Sequence, residues 1–230
     1  MWNRLHRELH TRAYVLKRRE IEAKPTKAHH ITVYIRPSQK QIEAHRDACN
    51  NWELGDKQTK HILTVETWYR RIASGLAAFD GNKIKALKRI LSFQGDAPSI
   101  IWFVFTDEGP AIKTAINKIG KRCAVIDGQT SNRTRQRRIA AFNAGELDYL
   151  IINVECGKYS LNLSKASIAI YYSLPWGLNT FDQSQARILL PGKMHAKFYY
   201  LITKEINEIR ILKALKEKRQ GSKALLEEVL

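Results

Sequence analysis

Two side chains late in the chain have the types and the spacing for contact with phosphate. Gln183 and Arg187 are four residues apart in DQSQARILLPGK, so a helix that begins near Thr180 presents both on one face. An arginine side chain is always charged and offers a planar fork of N–H donors suited to phosphate oxygens. The alternative role is a surface ion pair, which contributes at most about 1 kcal/mol. The pair is therefore the first candidate for a binding site.

Two short apolar runs are the elements that would position this pair. Tyr149–Val154 and Ile168–Tyr172 are rich in Ile, Val and Tyr and are bounded by polar or glycine residues. Both patterns predict buried strands of a parallel sheet. Turns with polar or glycine residues follow them, with Gly157, Ser160 and Asn162 after the first and Pro175, Trp176 and Gly177 after the second. Open α/β sheets bind ligands at the carboxyl ends of such strands, so we expect these turns to line the site.

Strands and helices alternate from Ser99 onward. Further apolar runs predict strands at Ile100–Phe105, Cys123–Ile126 and Lys197–Ile202. Helical patterns lie between and after them, at Pro110–Ile119, Arg133–Phe142 and Lys204–Lys218, with a short helix in the tail, 221–230. We therefore predict an α/β fold with a doubly wound, mostly parallel sheet and helices on both faces.

A mainly helical N-terminal segment precedes this alternation. The apolar spacing over residues 1–22 predicts a helix, and the alternation over His30–Ile35 predicts a half-exposed strand. Ser38 and Gln41 have the spacing of a capping box, which opens a helix. Further helices are predicted at Ile62–Ala73 and Gly81–Leu91. We expect residues 1–80 to lead into a lobe formed by residues 81–230.

The segment Asp127-Gly128-Gln129-Thr130-Ser131 ends one strand and starts a helix. Backbone N–H groups at a helix start, with hydroxyl groups beside them, bind phosphate. The alternative is an ordinary helix cap, in which Ser131 accepts a hydrogen bond from the helix itself.

Three stretches, GKYSLNL, IAIYYSLPW and DQSQARILLPGK, occur in this order. GKYSLNL resembles the Gly-x-Gly-Leu-Asn-Leu loop of motif V in superfamily-two helicases of the Swi/Snf type, which are common among remodellers and phage helicases. IAIYYSLPW resembles the strand and Pro-Trp turn of that family, and DQSQARILLPGK resembles its motif VI, Gln-x-x-Gly-Arg-x-x-Arg-x-Gly-Gln. Two positions depart from the family pattern. Ser160 stands where the family has a glycine, and Leu190 stands where it has its second arginine.

The resemblance extends upstream of these motifs. SIIWFVFTDEG resembles motif IV, and IDGQTSNRTRQRRIAAFNAGE is similar to a family block whose loop grips the nucleic-acid backbone. Residues 13–45 resemble, more loosely, the stretch that enters the second lobe. The resemblance implies the C-terminal, second RecA-like lobe of an ATP-dependent DNA helicase or translocase.

Site roles follow from this resemblance. It implies catalytic roles for Arg187 and Gln183, and an ATP cleft lined by Gly157, Asn162 and Arg187. It implies nucleic-acid contacts from Gly128, Gln129, Thr130, Ser131, Arg135, Lys158, Ser160 and Trp176. For Trp176 a position in the core is an equal alternative. ATP with Mg²⁺ would bind only together with a first lobe, in cis or in trans, because no Gly-x-x-x-x-Gly-Lys-Ser/Thr loop occurs in the sequence.

Charge and composition limit the classes of binding partner. The 230 residues include 39 Lys and Arg against 22 Asp and Glu, for a net charge of +17. This surplus suits a polyanion such as DNA, since phosphate contacts release counterions, although a solvated basic surface is the alternative. No apolar run approaches a membrane span, and the first residues lack the apolar centre of a signal peptide. We expect a cytoplasmic protein without a membrane partner, and the resemblance extends this expectation to a phage-infected bacterial host.

No metal site is expected. The three cysteines are far apart, and the seven histidines show no metal-ligand spacing. The strand SIIWFVF followed by Asp107-Glu108 imitates a Walker B site. The same two acids also suit the positive end of a helix that Thr106 caps, and we favour this second interpretation because the partner phosphate loop is absent.

The sequence therefore leaves three candidate functions. The first is half of an ATPase motor, and the second is a basic nucleic-acid-binding module without catalysis. The third is a nuclease built on Asp148, Glu155 and Lys158, which is weakly supported because such a motif needs Glu-x-Lys and the spacing here is Glu-x-x-Lys. Leu190 cannot perform the work of an arginine, which favours a split or degenerate lobe. We expect no ATP hydrolysis from the chain alone.

Overall fold

The computed structural model describes residues 26–76, 79–95, 97–158, 161–189 and 194–229, with the backbone alone at residues 158 and 220–229. The helix predicted over residues 1–22 lies outside the described residues. So do Ser160 and Leu190, and so does the side chain of Lys158.

Strands and helices alternate as predicted from Ser99 onward. The strands are β1 (Lys27–Ile35), β2 (Glu53–Leu54), β3 (Lys57–Gln58), β4 (Ser99–Phe103), β5 (Cys123–Ile126), β6 (Tyr149–Asn153), β7 (Ile168–Tyr171) and β8 (His195–Thr203). The α-helices are α1 (Gln39–Asn50), α2 (Ile62–Ser74), α3 (Lys83–Gln94), α4 (Glu108–Asn117), α5 (Asn132–Ala144), α6 (Leu178–Ala186) and α7 (Glu208–Val229). A 3₁₀ helix, Val154–Lys158, follows β6.

Six of these strands form one sheet in the order β1-β8-β7-β4-β6-β5. Every pair of neighbours in it is parallel. β2 and β3 form a separate antiparallel pair. The predicted doubly wound, mostly parallel sheet is confirmed, and all strand-end turns that were singled out in the sequence lie at one edge of it.

Side chains of the central strands alternate between two apolar cores, one on each face of the sheet. In β4, Ile100 and Trp102 contribute to the core beneath α5, α6 and α7. Ile101 and Phe103 contribute to the core beneath α3 and α4. Burial of a large apolar side chain stabilises the fold by about 1.5–3 kcal/mol. The two cores therefore hold the carboxyl ends of the strands in fixed relative positions.

The N-terminal part of the described chain joins this sheet. β1 pairs with β8 along its length, from Lys27 opposite His195 to Ile35 opposite Thr203. α1 begins with the predicted capping box, in which the side chains and backbone amides of Ser38 and Gln41 are bonded reciprocally. A third, smaller core joins α1 and α2 to the turn after β8 and contains Ala48, Val65, Trp68, Ile72, Ala73 and Ile206. The predicted domain boundary between residues 80 and 81 stays a prediction.

The interpretation of Thr106 as a helix cap is wrong. α4 has Asp107 as its N-cap residue, without a side-chain hydrogen bond to the helix. The buried Glu108 carboxylate instead accepts from the amides of Val104 and Phe105, at 2.9 and 3.0 Å. A charged acceptor forms a stronger hydrogen bond with an amide than a hydroxyl does, so the glutamate stabilises this turn.

Two helix boundaries also differ from the prediction. α7 begins at Glu208 rather than at residue 204, and it continues through the tail as one helix. α6 begins at Leu178, two residues before Thr180. In the described part of the chain, no helix combines the length and the apolar character that crossing a membrane requires.

A buried ion pair joins the first turns of two helices that are far apart in the sequence. Lys83 begins α3 and Glu208 begins α7, and they are 1% and 3% exposed. Lys83 Nζ lies 2.5 Å from Glu208 Oε1 and donates to the Tyr172 carbonyl at 2.8 Å. Glu208 Oε2 accepts from the Thr203 amide at 2.8 Å. Burial raises the pKa of Glu208, and Lys83 opposes this rise. Because both charges are paired and hydrogen-bonded, the network fixes the carboxyl ends of β7 and β8.

Candidate functional site

Arg187 lies where the end of α6 meets the 3₁₀ helix after β6. It is the first residue after α6 and keeps helical geometry, with φ −63° and ψ −24°. Its Nε and Nη2 atoms donate to the Gly157 carbonyl at 3.2 and 3.0 Å. Within the described residues, Nη1 has no hydrogen-bond partner. Arg187 is thus oriented by the Gly157 carbonyl, and among the described residues one edge of its fork remains available.

Gln183 is half-buried, one turn before Arg187 on α6. Its Oε1 atom is buried and accepts no hydrogen bond from the described part of the chain. A buried acceptor without a donor costs about 1–3 kcal/mol. The neighbouring Ser184 hydroxyl, in contrast, is 2.6 Å from the Tyr171 hydroxyl. Gln183 Oε1 is therefore an acceptor that no group in the described part of the chain satisfies.

Gly157 and Asn162, both expected at an ATP cleft, lie in the connection between β6 and β7. A methyl group at Gly157 would lie 3.6 Å from the Trp102 ring, which is an ordinary contact. The packing therefore does not require a glycine at position 157. The contribution of Gly157 to the site is its carbonyl, which accepts from Arg187. Asn162 is exposed, and its Oδ1 accepts from the Ser164 amide at 3.2 Å. Its carbonyl accepts from Asn143 at 2.9 Å, which ties the connection to α5.

The loop after β5 is organised by an aspartate. Asp127 Oδ1 accepts from the Gln129 amide at 3.1 Å and from the Thr130 hydroxyl at 2.7 Å. Ser131 is the N-cap of α5 and accepts from the Thr134 amide at 3.3 Å. Gly128 is exposed, with open space around it. The ordinary cap by Ser131 is therefore present, and two of the groups predicted to contact phosphate are already bonded within the loop.

Arg135 follows this loop but does not extend into solvent. It is 8% exposed, and its Nη2 atom donates to the Thr130 carbonyl at 3.3 Å. Arg138 donates to the Val125 carbonyl. Arg133 and Arg137 are exposed. Arg135 thus braces the loop, and the exposed arginines of α5 are the ones that a nucleic-acid backbone can reach.

Trp176 lies outside the core, with 51% of its surface exposed. The Arg70 guanidinium lies 5.6 Å from the centre of its ring and 5.3 Å from the centre of the Phe105 ring. Arg70 also donates to the Leu174 carbonyl at 2.8 Å. Burial lowers the pKa of Arg70, opposed by Glu108 among nearby carboxylates. Arg70 therefore fixes the turn after β7 and presents one indole face to solvent.

No sequence pattern pointed to Arg70. It lies on α2, in a stretch with no recognised motif, and its partner carbonyl is 104 residues further along the chain. Only the adjacent pair Arg70 and Arg71, flanked by apolar residues on a helix, would have drawn attention to it. Arg71 lies 4.9 Å from the centre of the Phe105 ring and 3.5 Å from Asp107.

The two acidic constellations do not form reactive sites among the described residues. Glu108 is fully buried, and its Oε2 accepts from Ser173 at 2.6 Å as well as from two amides. Asp148 lies before β6, where Arg122 binds it at 2.9 Å and holds its pKa below the usual range. Glu155 lies after β6, and a five-residue strand separates it from Asp148 by roughly 17 Å. The nuclease set predicted as an alternative is therefore not assembled.

Comparisons with known proteins place the fold. Residues 82–190 match the family model described as the helicase conserved C-terminal domain. A protein of Mycoplasma pneumoniae described as an uncharacterized ATP-dependent helicase is 27% identical over 187 residues, which cover 77% of this chain and 18% of that protein.

Two solved structures have the same fold. The C-terminal part of the Fun30 ATPase domain matches with a TM-score of 0.67 at 15% identity, over 83% of this chain and 89% of that one. The C-terminal domain of the Sulfolobus solfataricus SWI2/SNF2 ATPase matches with a TM-score of 0.65 at 18% identity, over 84% and 87%. Residues 82–190 are thus similar to the helicase conserved C-terminal domain, and the predicted RecA-like fold is confirmed. This chain spans about a fifth of the length of its Mycoplasma relative.

Proposed function

We propose that this chain acts as the second RecA-like lobe of an ATP-dependent Swi/Snf-type DNA helicase or translocase. In this role it supplies the arginine side of an ATP cleft and part of the grip on the DNA backbone. It works only with a first lobe that carries a Walker loop, in cis or in trans. The observation that carries the proposal is the Arg187 guanidinium, bound to the Gly157 carbonyl at the ligand-binding edge of the sheet.

The residues present fit a nucleotide that a first lobe holds with Mg²⁺. Among the described residues, Arg187 Nη1 has no hydrogen-bond partner, and an arginine opposite a transferring phosphoryl group accelerates hydrolysis by about 10³–10⁵-fold. One turn earlier on α6, Gln183 Oε1 also lacks a donor within the described part of the chain. Gly157 and Asn162 would line the cleft on the same side. Leu190 supplies no second positive charge, so we expect the isolated chain to release phosphate only at background rate.

The neighbouring turns at the carboxyl ends of the strands contact the nucleic acid. Gly128 offers an exposed backbone amide region, and Trp176 offers an exposed ring. Arg133 and Arg137 add exposed charge on α5. With a net charge of +17, this surface suits the backbone of DNA without preference for sequence.

Reconstitution with a Walker-bearing first lobe tests the proposal. The chain alone, with saturating DNA and Mg·ATP, is expected to be inactive, and the mixture is expected to hydrolyse ATP in a DNA-stimulated manner. Arg187→Lys keeps the charge but loses the fork, so it should abolish most of this stimulation while the variant still folds and still binds DNA. An active mixture in which Arg187→Lys has no effect would contradict the assignment of Arg187.

A second candidate function is a nucleic-acid-binding module without catalysis, and Leu190 favours it. In that case DNA binding is salt-sensitive and does not respond to ATP with or without a first lobe. Leu190→Arg separates the candidates. It raises the rate of the reconstituted motor if the lobe is otherwise competent, and it leaves a pure binding module inactive.

A further inference from the structure

The sheet has a second conspicuous surface, along its lateral edge strand β1. A groove of about 430 Å³ runs between the edge strand β1 and helix α3. Its lining is Val33, Tyr34, Ile35, Asn82, Lys85, Ala86, Arg89, Ile90 and Phe93. No carboxylate occurs in this lining. β1 and β5 are the two edges of a six-stranded sheet, so the groove lies roughly 24 Å from the loop after β5, at ~4.8 Å per strand.

Two aromatic rings at this groove are open to solvent. Phe93 is 77% exposed and Tyr34 is 56% exposed. Each has a cation near its face: Arg89 lies 5.8 Å from the centre of the Phe93 ring, and Lys204 lies 5.6 Å from that of Tyr34. An aromatic ring with a cation beside it and one side open is a platform for stacking another planar group.

The residues that line the groove carry positive charge only. Lys85, Arg89 and Phe93 follow each other at four-residue spacing on α3, so they form one stripe with a rise of about 6 Å per step. Lys88 lies beside them. Among the described residues, Lys85, Lys88 and Arg89 form no ion pair. Lys85 donates only to Asn82, at 3.2 Å. The nearby carboxylate of Asp80 is already paired with Lys40 at 2.6 Å.

We propose that this β1–α3 groove binds single-stranded nucleic acid, with bases stacked on Phe93 and Tyr34 and phosphates against Lys85 and Arg89. Single strands are the polyanions that expose flat base faces beside their charges. A duplex keeps its bases stacked inside, so it would use the cations and leave the rings unused. An acidic peptide would likewise need the charges and not the rings. The inference goes beyond the proposed motor role, because it requires neither ATP nor the first lobe.

Fluorescence anisotropy with the full chain tests the proposal, with labelled oligothymidine of about 12 nucleotides, a length within the usual site sizes. A hairpin duplex of matched charge serves as the second probe. Phe93→Ala should weaken oligothymidine binding by about 5- to 150-fold, which corresponds to the loss of one stacked base. Phe93→Trp should restore it. Arg89→Gln should reduce the slope of log K against log salt by about 0.7. The matched charge control is Lys118→Gln, at an exposed position directly after α4 and outside the groove lining.

Each alternative occupant has its own result. If Phe93→Ala binds oligothymidine like the wild type while Trp176→Ala does not, the strand binds only at the carboxyl edge. The groove proposal then fails while the proposed function stands. If polyglutamate competes as well as oligothymidine and Phe93→Ala has no effect, the groove is an unspecific anion surface and the proposal fails. If Phe93→Ala only converts a dimer to a monomer in sedimentation, a second copy covers the groove, and the proposal fails again.

Discussion

Arg187 and Gly157 are joined by two hydrogen bonds from one guanidinium to one carbonyl, at 3.2 and 3.0 Å. These bonds link the end of α6 to the turn after β6, so the arginine is already oriented in the chain without a ligand. A long side chain that is already held loses less rotamer freedom on binding, which is the usual benefit of preorganisation.

Replacement of this arginine is expected to separate catalysis from stability. In the complex with a Walker-bearing lobe, Arg187→Lys should lower kcat for ATP hydrolysis by about 10³-fold or more. The free energy of unfolding should change by only about 1 kcal/mol, because the lost bonds join a half-buried side chain to a neutral acceptor. Phosphate release and urea denaturation measure the two quantities. Arg133→Lys, at an exposed position on α5, is the control and should change neither.

The buried ion pair predicts a large loss of stability when one partner is removed. Lys83→Met leaves the Glu208 carboxylate buried without its cation, which should cost about 3–5 kcal/mol in urea denaturation. The double variant Lys83→Met with Glu208→Leu removes both charges and should recover most of that loss. Lys213→Met breaks a pair whose lysine side chain is 75% exposed, and it should cost less than about 0.5 kcal/mol. A loss of the same small size in Lys83→Met would contradict the pairing.

Arg70 is expected to position Trp176. Arg70→Ala removes the cation beneath the indole and the bond to the Leu174 carbonyl, so the turn after β7 should become mobile. The indole N–H resonance of Trp176 in ¹H–¹⁵N spectra, assigned with Trp176→Phe, should shift and sharpen. Affinity for DNA should fall by up to about tenfold, which corresponds to one lost cation–π or stacking contact. Arg71→Ala, which lies against Phe105 but not against Trp176, should leave the resonance in place; if both variants shift it equally, Arg70 has no special role.

Stability is expected to fall in mild acid because of His30. His30 lies at the surface of β1, and its partial burial there lowers the pKa of the imidazole, with smaller contributions from Arg219 and Lys216. Its Nδ1 lies 2.8 Å from the Tyr200 hydroxyl. The unfolded chain, with an ordinary pKa near 6.5, takes up the proton first. The free energy of unfolding should therefore decrease as pH falls through about 6.5, and it should level off below the pKa of the folded state.

Urea denaturation at about pH 7.5 and 5.5 measures this decrease. His30→Gln should reduce the difference between the two pH values, because it removes the group whose pKa changes on folding. Part of the decrease should remain in that variant, since burial also lowers the pKa of His45. His61→Gln, at an exposed position, serves as the control. An identical pH dependence in wild type and His30→Gln would exclude His30 as a source.

Local sequence patterns predicted the structure correctly where the stabilising contacts join residues close together in the sequence. The capping box of Ser38 and Gln41 spans four residues and was predicted correctly. β4 is apolar on both faces, so its burial could be predicted from the run alone. The proximity of Arg187 to the turn after β6 followed from the rule that ligand sites form at the carboxyl ends of parallel strands.

Partners far away along the chain could not be predicted. Lys83 reads as one more surface lysine, and its burial depends on Glu208, 125 residues later. Arg135 has the spacing of an exposed helix arginine, yet the loop before it draws its side chain inward. Thr106 was predicted as a cap because hydroxyl side chains are common at helix N-termini. Instead, the Glu108 carboxylate accepts from the backbone amides before the helix. In each case a long-range or competing contact overrode a correct local preference.

The pairing of β1 with β8 has a consequence for the newborn chain. These are the first and the last of the described strands, and β1 pairs with β8 along its whole length. Translation from Ile35 to Thr203 takes about 8–34 s at 5–20 residues per second. Throughout this interval the nascent β1 has left the site of synthesis while its partner does not yet exist. The sheet is therefore completed from the late end of the chain. Chaperone capture of this strand is most useful in those seconds.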